Sequence, residues 1–162
     1  MHYVALAQLL ILISLANGSP VIAKRIFGEN YAVPIDGNAR FVDGRPLLGP
    51  SKTIRGVVVS LLVAALGATL FGLQFWLGLL VASTAMAGDL LSSFLKRRLA
   101  LAPSSKATGL DQIPESLFPL LACQPLLSLT AIDIAVGCAA FFVGAVLLSR
   151  FFFWLRLRDR PY

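Results

Sequence analysis

The chain has 162 residues, of which 57% are hydrophobic and 14% are charged, and its formal net charge is +6. Soluble domains carry roughly one quarter charged residues, so this composition excludes an ordinary soluble protein and predicts one membrane-embedded domain over residues 1–162. Nucleic acid is not expected as a partner, because no soluble basic fold remains to bind it. The cations are expected to face anionic lipid headgroups or phosphates.

All fourteen lysines and arginines fall within residues 24–55, 96–106 and 150–160. Cytoplasmic loops are enriched in Lys and Arg because positive flanks resist translocation. An odd number of spans gathers the three basic stretches on one side of the membrane. The pattern therefore predicts a multi-pass protein of the cytoplasmic membrane, with its N-terminus outside, its C-terminus in the cytoplasm and its chemistry on the cytoplasmic face.

A transmembrane helix needs about 20 predominantly apolar residues. Five apolar runs predict an all-α protein with about five such helices, at residues 2–23, 56–72, 75–95, 113–129 and 133–155. A cleaved signal peptide competes with the first helix, but it normally starts with positive charge, which this chain lacks. The second and third runs are expected to form a hairpin near Gly72, and the prolines of the fourth are expected to bend it.

Asp89 is an acid inside an otherwise uncharged apolar run. A carboxylate deep in the bilayer costs roughly 2.5–3.5 kcal/mol on insertion scales, so such residues are usually functional. At helical spacing, Ser92, Ser93 and Lys96 share one face with Asp89. This face predicts a polar cavity at the inner end of the third helix. The alternative is a structural pair between Asp89 and Lys96, or a capping role.

Asp111 follows in the next loop, near the start of the fourth helix. Two carboxylates from separate segments suit a hard divalent cation such as Mg²⁺. Basic residues beside them, including Lys96 and Arg97, suit phosphate, and the combination suits a metal-bound polyphosphate. We therefore predict Asp89 and Asp111 as metal ligands.

A second candidate segment, residues 49–56, leads directly into the second helix. Ser51 and Thr53 are placed to cap the helix or to bind phosphate oxygens, while Lys52 and Arg55 supply cations. The spacing of a P-loop is absent. An N-cap with positive membrane anchors remains the alternative interpretation.

The segment Asp36-Gly37-Asn38-Ala39-Arg40, with Gly49 after it, resembles the signature of CDP-alcohol phosphotransferases. This chain has one residue between the Gly and the Ala, whereas the signature has two. Thr53 and Val57 stand where that class places two further metal-binding acids. We therefore reject this class.

The chain resembles the CDP-archaeol synthase family, which is related to the phosphatidate cytidylyltransferases. The matching pieces are residues 45–56, Gly88-Asp89, residues 93–98 and residues 110–112, and the resemblance extends roughly from Asn17 onward. It implies five helices, a cytoplasmic active site, and Mg²⁺-dependent transfer of CMP from CTP to a lipid phosphate, with release of pyrophosphate. The acceptor would be unsaturated archaeol phosphate or phosphatidate.

The resemblance also implies roles for individual residues. Asp89 and Asp111 would be the metal-linked catalytic acids, with Lys96 beside them. The predicted contacts to CTP or lipid phosphate are Ser51, Lys52, Thr53, Arg55, Ser92, Ser93, Lys96 and Arg97. The family usually shows another acid soon after Asp-Gln, whereas here Pro114 intervenes and Glu115 is the nearest candidate.

Two non-enzymatic functions compete with this prediction. A transporter or channel would line a path with Asp89 and its hydroxyl neighbours, but the intramembrane polar residues are confined to one end. A small scaffold protein would use the same acids and cations in structural pairs. No motif distinguishes ether-linked from ester-linked tails or specifies an oligomeric state.

Overall fold

The computed structural model describes residues 2–102, 105, 107 and 109–154. Five α-helices follow one another in chain order: α1 Tyr3–Phe27, α2 Ile54–Leu70, α3 Phe75–Arg98, α4 Gln112–Leu127 and α5 Ala131–Trp154. The described part of the chain contains isolated antiparallel bridges but no strand. The all-helical class is therefore confirmed.

The observed helices start and end close to the predicted apolar runs. The largest difference is at the end of α1, which continues through Pro20 as far as Phe27. Lys24 and Arg25 lie in its last turn, where cations interact favourably with the helix dipole. Gly72 has a positive φ of 72° in the turn between α2 and α3, so the predicted hairpin is present. Lys106, Arg156, Arg158 and Arg160, which the charge pattern placed in the basic stretches, lie outside the described residues.

Three described helices are long and apolar enough to cross a membrane, namely Tyr3–Phe27, Phe75–Arg98 and Ala131–Leu148 within α5. The second helix, α2, is apolar but has only 17 residues. The fourth, α4, has 16 residues and carries Pro119 and Pro125 within it. The protein is thus an integral membrane protein with at least three candidate spans, and the count of five spans stays a prediction.

The first helix is part of the packed core. Leu9, Leu12, Ile13 and Ala16 on α1 are completely buried, and α1 contacts each of the other four helices. Removing α1 would expose the apolar faces that it covers. This packing favours the retained helix over a cleaved signal peptide.

Glycines allow α3 to approach both of its neighbours closely. A Cβ added at Gly78 would lie 2.6 Å from Cα of Ala65 on α2. One added at Gly88 would lie 2.5 Å from the carbonyl carbon of Pro114 and 2.8 Å from the Glu115 nitrogen at the start of α4. Small residues permit such close helix contacts in membranes. The approach at Gly88 positions Glu115 against the residue after Gly88, which is Asp89.

Candidate active site

A lysine and an aspartate from distant segments meet at the end of the helical bundle that carries most of the basic residues. Lys52 Nζ lies 2.6 Å from each carboxylate oxygen of Asp89, and the two side chains are each 21% exposed. The two residues are separated by 37 positions in the sequence. Asp89 is therefore held by the loop before α2 and not by its own helix.

A second carboxyl group completes this pair. Glu115 on α4 shares a side-chain hydrogen bond with Asp89 and interacts electrostatically with Lys52 and Asp111. Neighbouring carboxylates repel each other unless a proton or a cation lies close to them. The ammonium group of Lys52 supplies one positive charge here, and the oxygens of both acids remain suited to a hard cation.

Asp111 pairs with the other predicted lysine. Lys96 Nζ lies 2.7 Å from Asp111 Oδ1, and it also donates a hydrogen bond to the Ser105 carbonyl at 3.0 Å. Asp111 Oδ2 accepts a hydrogen bond from the Ala107 backbone N–H at 3.2 Å. The alternative in which Lys96 pairs with Asp89 is wrong, because the loop between α3 and α4 brings Asp111 to this lysine.

Ser92 connects α3 to the segment that carries Asp111. Its hydroxyl is buried and lies 2.8 Å from the Gly88 carbonyl and 2.9 Å from the Leu110 carbonyl. Ser93, in the same turn, is also buried. Ser92 thus fixes the position of Asp111 relative to α3. Contact between either serine and a substrate stays a prediction.

Arg97 is almost fully buried, with 4% of its surface exposed. It donates a hydrogen bond to the Ala102 carbonyl at 2.7 Å. Together with Arg45 it lines a cavity of about 270 Å³ on the basic end of the bundle. Arg45 donates a hydrogen bond to the Arg98 carbonyl at 2.6 Å, so both arginines bind backbone carbonyls beside this cavity. Contact between Arg97 and a substrate stays a prediction, and the position of Arg45 was not foreseen.

In the segment before α2, Lys52 is the residue that reaches Asp89. Thr53 caps α2, accepting a hydrogen bond from the Gly56 N–H at 3.1 Å. Arg55 donates to the carbonyls of Gly28 and Asn30. Ser51 is exposed. The capping interpretation holds for Thr53, while substrate contacts of Ser51, Thr53 and Arg55 stay predictions.

Arg55 also borders an apolar groove on the outside of the bundle. The guanidinium carbon lies 6.0 Å from the centre of the Phe27 ring. The groove has a volume of about 430 Å³, and Tyr31, Val33 and Ile54 contribute to its wall. The charge of Arg55 therefore faces α1 and this groove, and its hydrogen bonds go to the carbonyls of Gly28 and Asn30, which follow α1.

Arg98 binds the loop between α1 and α2 to the end of α3. The sequence did not predict this contact. Its guanidinium lies over the rings of Phe41 and Phe94, at 4.7 and 5.0 Å from their centres. It also pairs with Asp43 at 2.6 Å and donates to the Pro46 carbonyl at 2.5 Å. Arginine stacks on aromatic rings and binds carboxylates at once. Spacing along the chain offered no signal for this contact, because the loop residues come from 50 or more positions away.

The acids of this site fit a magnesium ion. Within the described residues, no group of three or more His, Cys, Asp or Glu side chains is spaced as a complete metal site. Mg²⁺, however, is usually held by one or two carboxylates together with waters and substrate phosphates. The carboxyl contact between Asp89 and Glu115 offers hard oxygens of that kind, so the donor set suits an ion that arrives with a phosphate ligand.

Comparison with known proteins extends these observations. Residues 4–162 match the family model described as CarS-like: CDP-archaeol synthase. The chain is similar to the CDP-archaeol synthase of Hyperthermus butylicus, with 40% identity over 60% of this chain and 59% of the relative. It is 38% identical to that of Sulfurisphaera tokodaii, over 69% of this chain and 68% of the relative. The aligned region thus spans about three fifths to two thirds of these relatives.

A solved structure has the same architecture. It is described as an intramembrane enzyme for archaeal membrane lipid biosynthesis, and it matches with a TM-score of 0.70 and 28% sequence identity. The match covers 85% of this chain and 90% of the solved chain. Most of this chain is therefore comparable in fold with that enzyme.

Proposed function

Because the chain belongs to the CDP-archaeol synthase family, we propose that it is a membrane-embedded cytidylyltransferase. It transfers CMP from CTP to the phosphate of an archaeol-type lipid and releases pyrophosphate. The observation that carries the proposal is the convergence of Lys52, Asp89 and Glu115 beside the pair of Lys96 and Asp111. A polyphosphate requires such a combination of cations and metal-binding acids.

The reaction needs no nucleophile from the protein. An anionic oxygen of the lipid phosphate attacks the α-phosphorus of CTP, the bond from that phosphorus to the bridging oxygen breaks, and pyrophosphate leaves with the electron pair. Catalysis then depends on aligning two anions and neutralising their charge. This requirement agrees with a site composed of lysines and carboxylates.

The two lysines have a double role in this proposal. Without nucleotide, Lys52 and Lys96 neutralise Asp89 and Asp111. When the nucleotide enters, the ammonium groups turn to its phosphate oxygens, and Asp89 and Glu115 would hold Mg²⁺, with the charge of Asp111 nearby. The metal would supply charge stabilisation at the phosphates. Arg45 and Arg97 extend the positive surface toward the 270 Å³ cavity.

We further propose that this end of the bundle faces the cytoplasm, where CTP is found, and that all five helices cross the cytoplasmic membrane. Supporting this orientation is the gathering of Lys24, Lys52 and Lys96 at one end, as the positive-inside rule predicts. The lipid tails stay in the bilayer while the headgroup reaches the acids. A transporter receives no comparable support, since the core between the two ends is apolar at Leu12, Val81 and Leu120.

The test is direct transfer of label. The purified protein in liposomes is incubated with CTP labelled at the α-phosphate, Mg²⁺ and either archaeol-type or diacyl lipid phosphate. We expect label in the lipid fraction only when acceptor and Mg²⁺ are both present, with the archaeol-type acceptor preferred. Absence of lipid-bound label with every acceptor would overturn the proposal.

A further inference from the structure

The loop between α1 and α2 is organised around the carboxylate of Asp36. Asp36 Oδ2 accepts hydrogen bonds from the backbone N–H groups of Leu48 and Gly49, at 2.9 and 3.2 Å. Its other oxygen accepts one from the Asn38 N–H at 3.1 Å. Three backbone N–H groups thus donate to one carboxylate. They lie 2, 12 and 13 positions after Asp36, so this side chain connects the two ends of a 14-residue segment.

These bonds fix the part of the loop that delivers Lys52. Gly49 begins the turn that ends at Lys52, whose N–H donates to the Gly49 carbonyl at 3.2 Å. Gly49 has a φ of 97°, a value that L side chains rarely adopt. The Lys52 carbonyl in turn accepts from the Ile35 N–H at 2.9 Å. The residue next to Asp36 therefore holds the backbone of Lys52, while Asp36 itself holds the start of its turn.

Electrostatics strengthens the same contacts. Burial alone would raise the pKa of Asp36, but the N–H groups of Leu48, Gly49 and Asn38 outweigh it and hold the pKa below its ordinary value. Hydrogen bonds to a lowered-pKa carboxylate are fully present above the ordinary pKa of aspartate, about 3.9, and are lost only as the pH falls through the lower folded value. The carboxylate is thus ionised and bonded at physiological pH.

From this arrangement we infer that Asp36 is a positioning residue for the proposed nucleotidyl transfer, which it serves by setting the turn that places Lys52 against Asp89. The inference rests on the proposed function. It also explains the Asp36-Gly37-Asn38 segment, whose resemblance to a metal-binding signature was rejected above. In this chain the carboxylate accepts hydrogen bonds from three backbone N–H groups.

Asp36→Asn is the variant that tests this role. An asparagine keeps one acceptor oxygen and turns an NH₂ group toward the other N–H donors, so at least one donor loses its acceptor and the remaining bonds lose the charge that strengthens them. We expect CTP binding to weaken about 10- to 100-fold, the range for hydrogen bonds to a charged group. The matched control is Glu29→Gln, which removes the same charge from the same loop. Glu29 is exposed and pairs only loosely with Lys24, at 3.5 Å, so the control should bind CTP normally.

A double-mutant cycle with Lys52→Met separates positioning from a general structural role. If Asp36 acts through Lys52, Asp36→Asn should weaken CTP binding in the wild-type background and have no further effect in the Lys52→Met background. Additive losses in the two backgrounds would overturn the inference, because Asp36 would then act independently of Lys52.

Amide hydrogen exchange supplies a readout that does not depend on activity. We expect Asp36→Asn to speed exchange in the peptide covering residues 47–54 while exchange in α1 and α3 stays unchanged. Unchanged protection of this peptide would overturn the inference even if the wild-type protein transfers CMP. A wild-type protein that transfers no CMP but loses protection in the variant would overturn the proposed function and leave the loop anchor in place.

A second substitution guards against a failure to fold. Asp36→Ser keeps a small acceptor and removes the charge, and the same loss of binding and protection is expected. If both variants fail to assemble in the membrane, Asp36 is a folding residue and the positioning role is wrong.

Discussion

Two aspartates lie at opposite ends of this bundle and are stabilised in different ways. Asp133, at the start of α5, is completely buried. Its Oδ2 accepts from the N–H and the hydroxyl of Thr130, at 3.0 and 2.8 Å, and Thr130 accepts the Asp133 N–H in return. Its other oxygen accepts from the His2 N–H at 3.3 Å. Asp89, at the other end, is bound by a lysine 37 positions away and by a glutamate on another helix.

The difference separates a structural acid from a candidate functional one. Asp133 forms a reciprocal capping box with a residue three positions before it, which satisfies a helix start locally. Among the hydrogen bonds of the described residues, none joins the Asp89 carboxylate to its own helical turn. Its partners are charged groups from separate elements. When a phosphate ligand arrives, the lysine can move to the phosphate and a metal cation can take its place beside Asp89. An acid inside a membrane protein is therefore judged by the origin of its partners as well as by its depth.

The largest effect should come from replacing the two aspartates in parallel. Asp89→Asn removes a charge that the proposed site requires, and we expect CMP transfer to fall by at least about a thousandfold while membrane insertion is kept. Asp133→Asn should leave transfer close to the wild-type rate and lower the melting temperature by a few degrees. Label transfer and thermal unfolding in detergent measure the two effects. If both variants were equally active, the proposed difference between a functional Asp89 and a structural Asp133 would be wrong.

Lys52→Met should have the next largest effect. It leaves the carboxyls of Asp89 and Glu115 in contact without their ammonium partner, and it removes a phosphate ligand. We expect turnover to fall about 100-fold, since breaking a partly buried pair strands the remaining charge. Lys24→Met is the control, because Lys24 makes an exposed pair with Glu29. A loss of similar size in the control would show that the effect comes from net charge alone.

Glu115→Gln tests the nearest acid after Asp111 and Gln112 in the sequence. We expect the Mg²⁺ concentration for half-maximal transfer to rise about tenfold, because one oxygen ligand loses its charge. Transfer at saturating Mg²⁺ should recover most of the wild-type rate. An unchanged Mg²⁺ dependence would mean that Glu115 only shares a hydrogen bond with Asp89.

Gly88→Ala should have a smaller effect that comes from packing. The added methyl group would meet Pro114 and Glu115 of α4 at 2.5–2.8 Å, so α4 must move away from α3. We expect the free energy of unfolding to fall by about 1–3 kcal/mol, with a matching increase in the Mg²⁺ requirement. Gly18→Ala in α1 is the control, since nothing lies within 4 Å of its added Cβ, and it should be neutral or slightly stabilising. Equal stability of the two variants would contradict the tight contact at Gly88.

Apolar runs and charge position were enough to predict the five helices and the hairpin at Gly72, and they made Asp89 a candidate functional residue. They were not enough to predict partners across the chain. Lys96 was expected near Asp89 because both lie on one helical face, yet it pairs with Asp111, which the following loop brings closer. Glu115 reaches Asp89 only because Gly88 lets α4 approach α3. Such contacts depend on how helices pack, and neither helix shows this in its own sequence.

The central claim is that Asp89 on α3 and Glu115 on α4 form one cation site beside the lysines. The measurement that tests it most directly is CTP binding at equilibrium, with and without Mg²⁺, to the wild-type protein and to Asp89→Asn, Glu115→Gln and Asp133→Asn. We predict that Mg²⁺ tightens CTP binding to the wild-type protein and to Asp133→Asn, that Asp89→Asn loses this tightening, and that Glu115→Gln needs about tenfold more Mg²⁺ to show it. The same tightening in all four proteins would contradict the claim, because the ion would then bind without these acids.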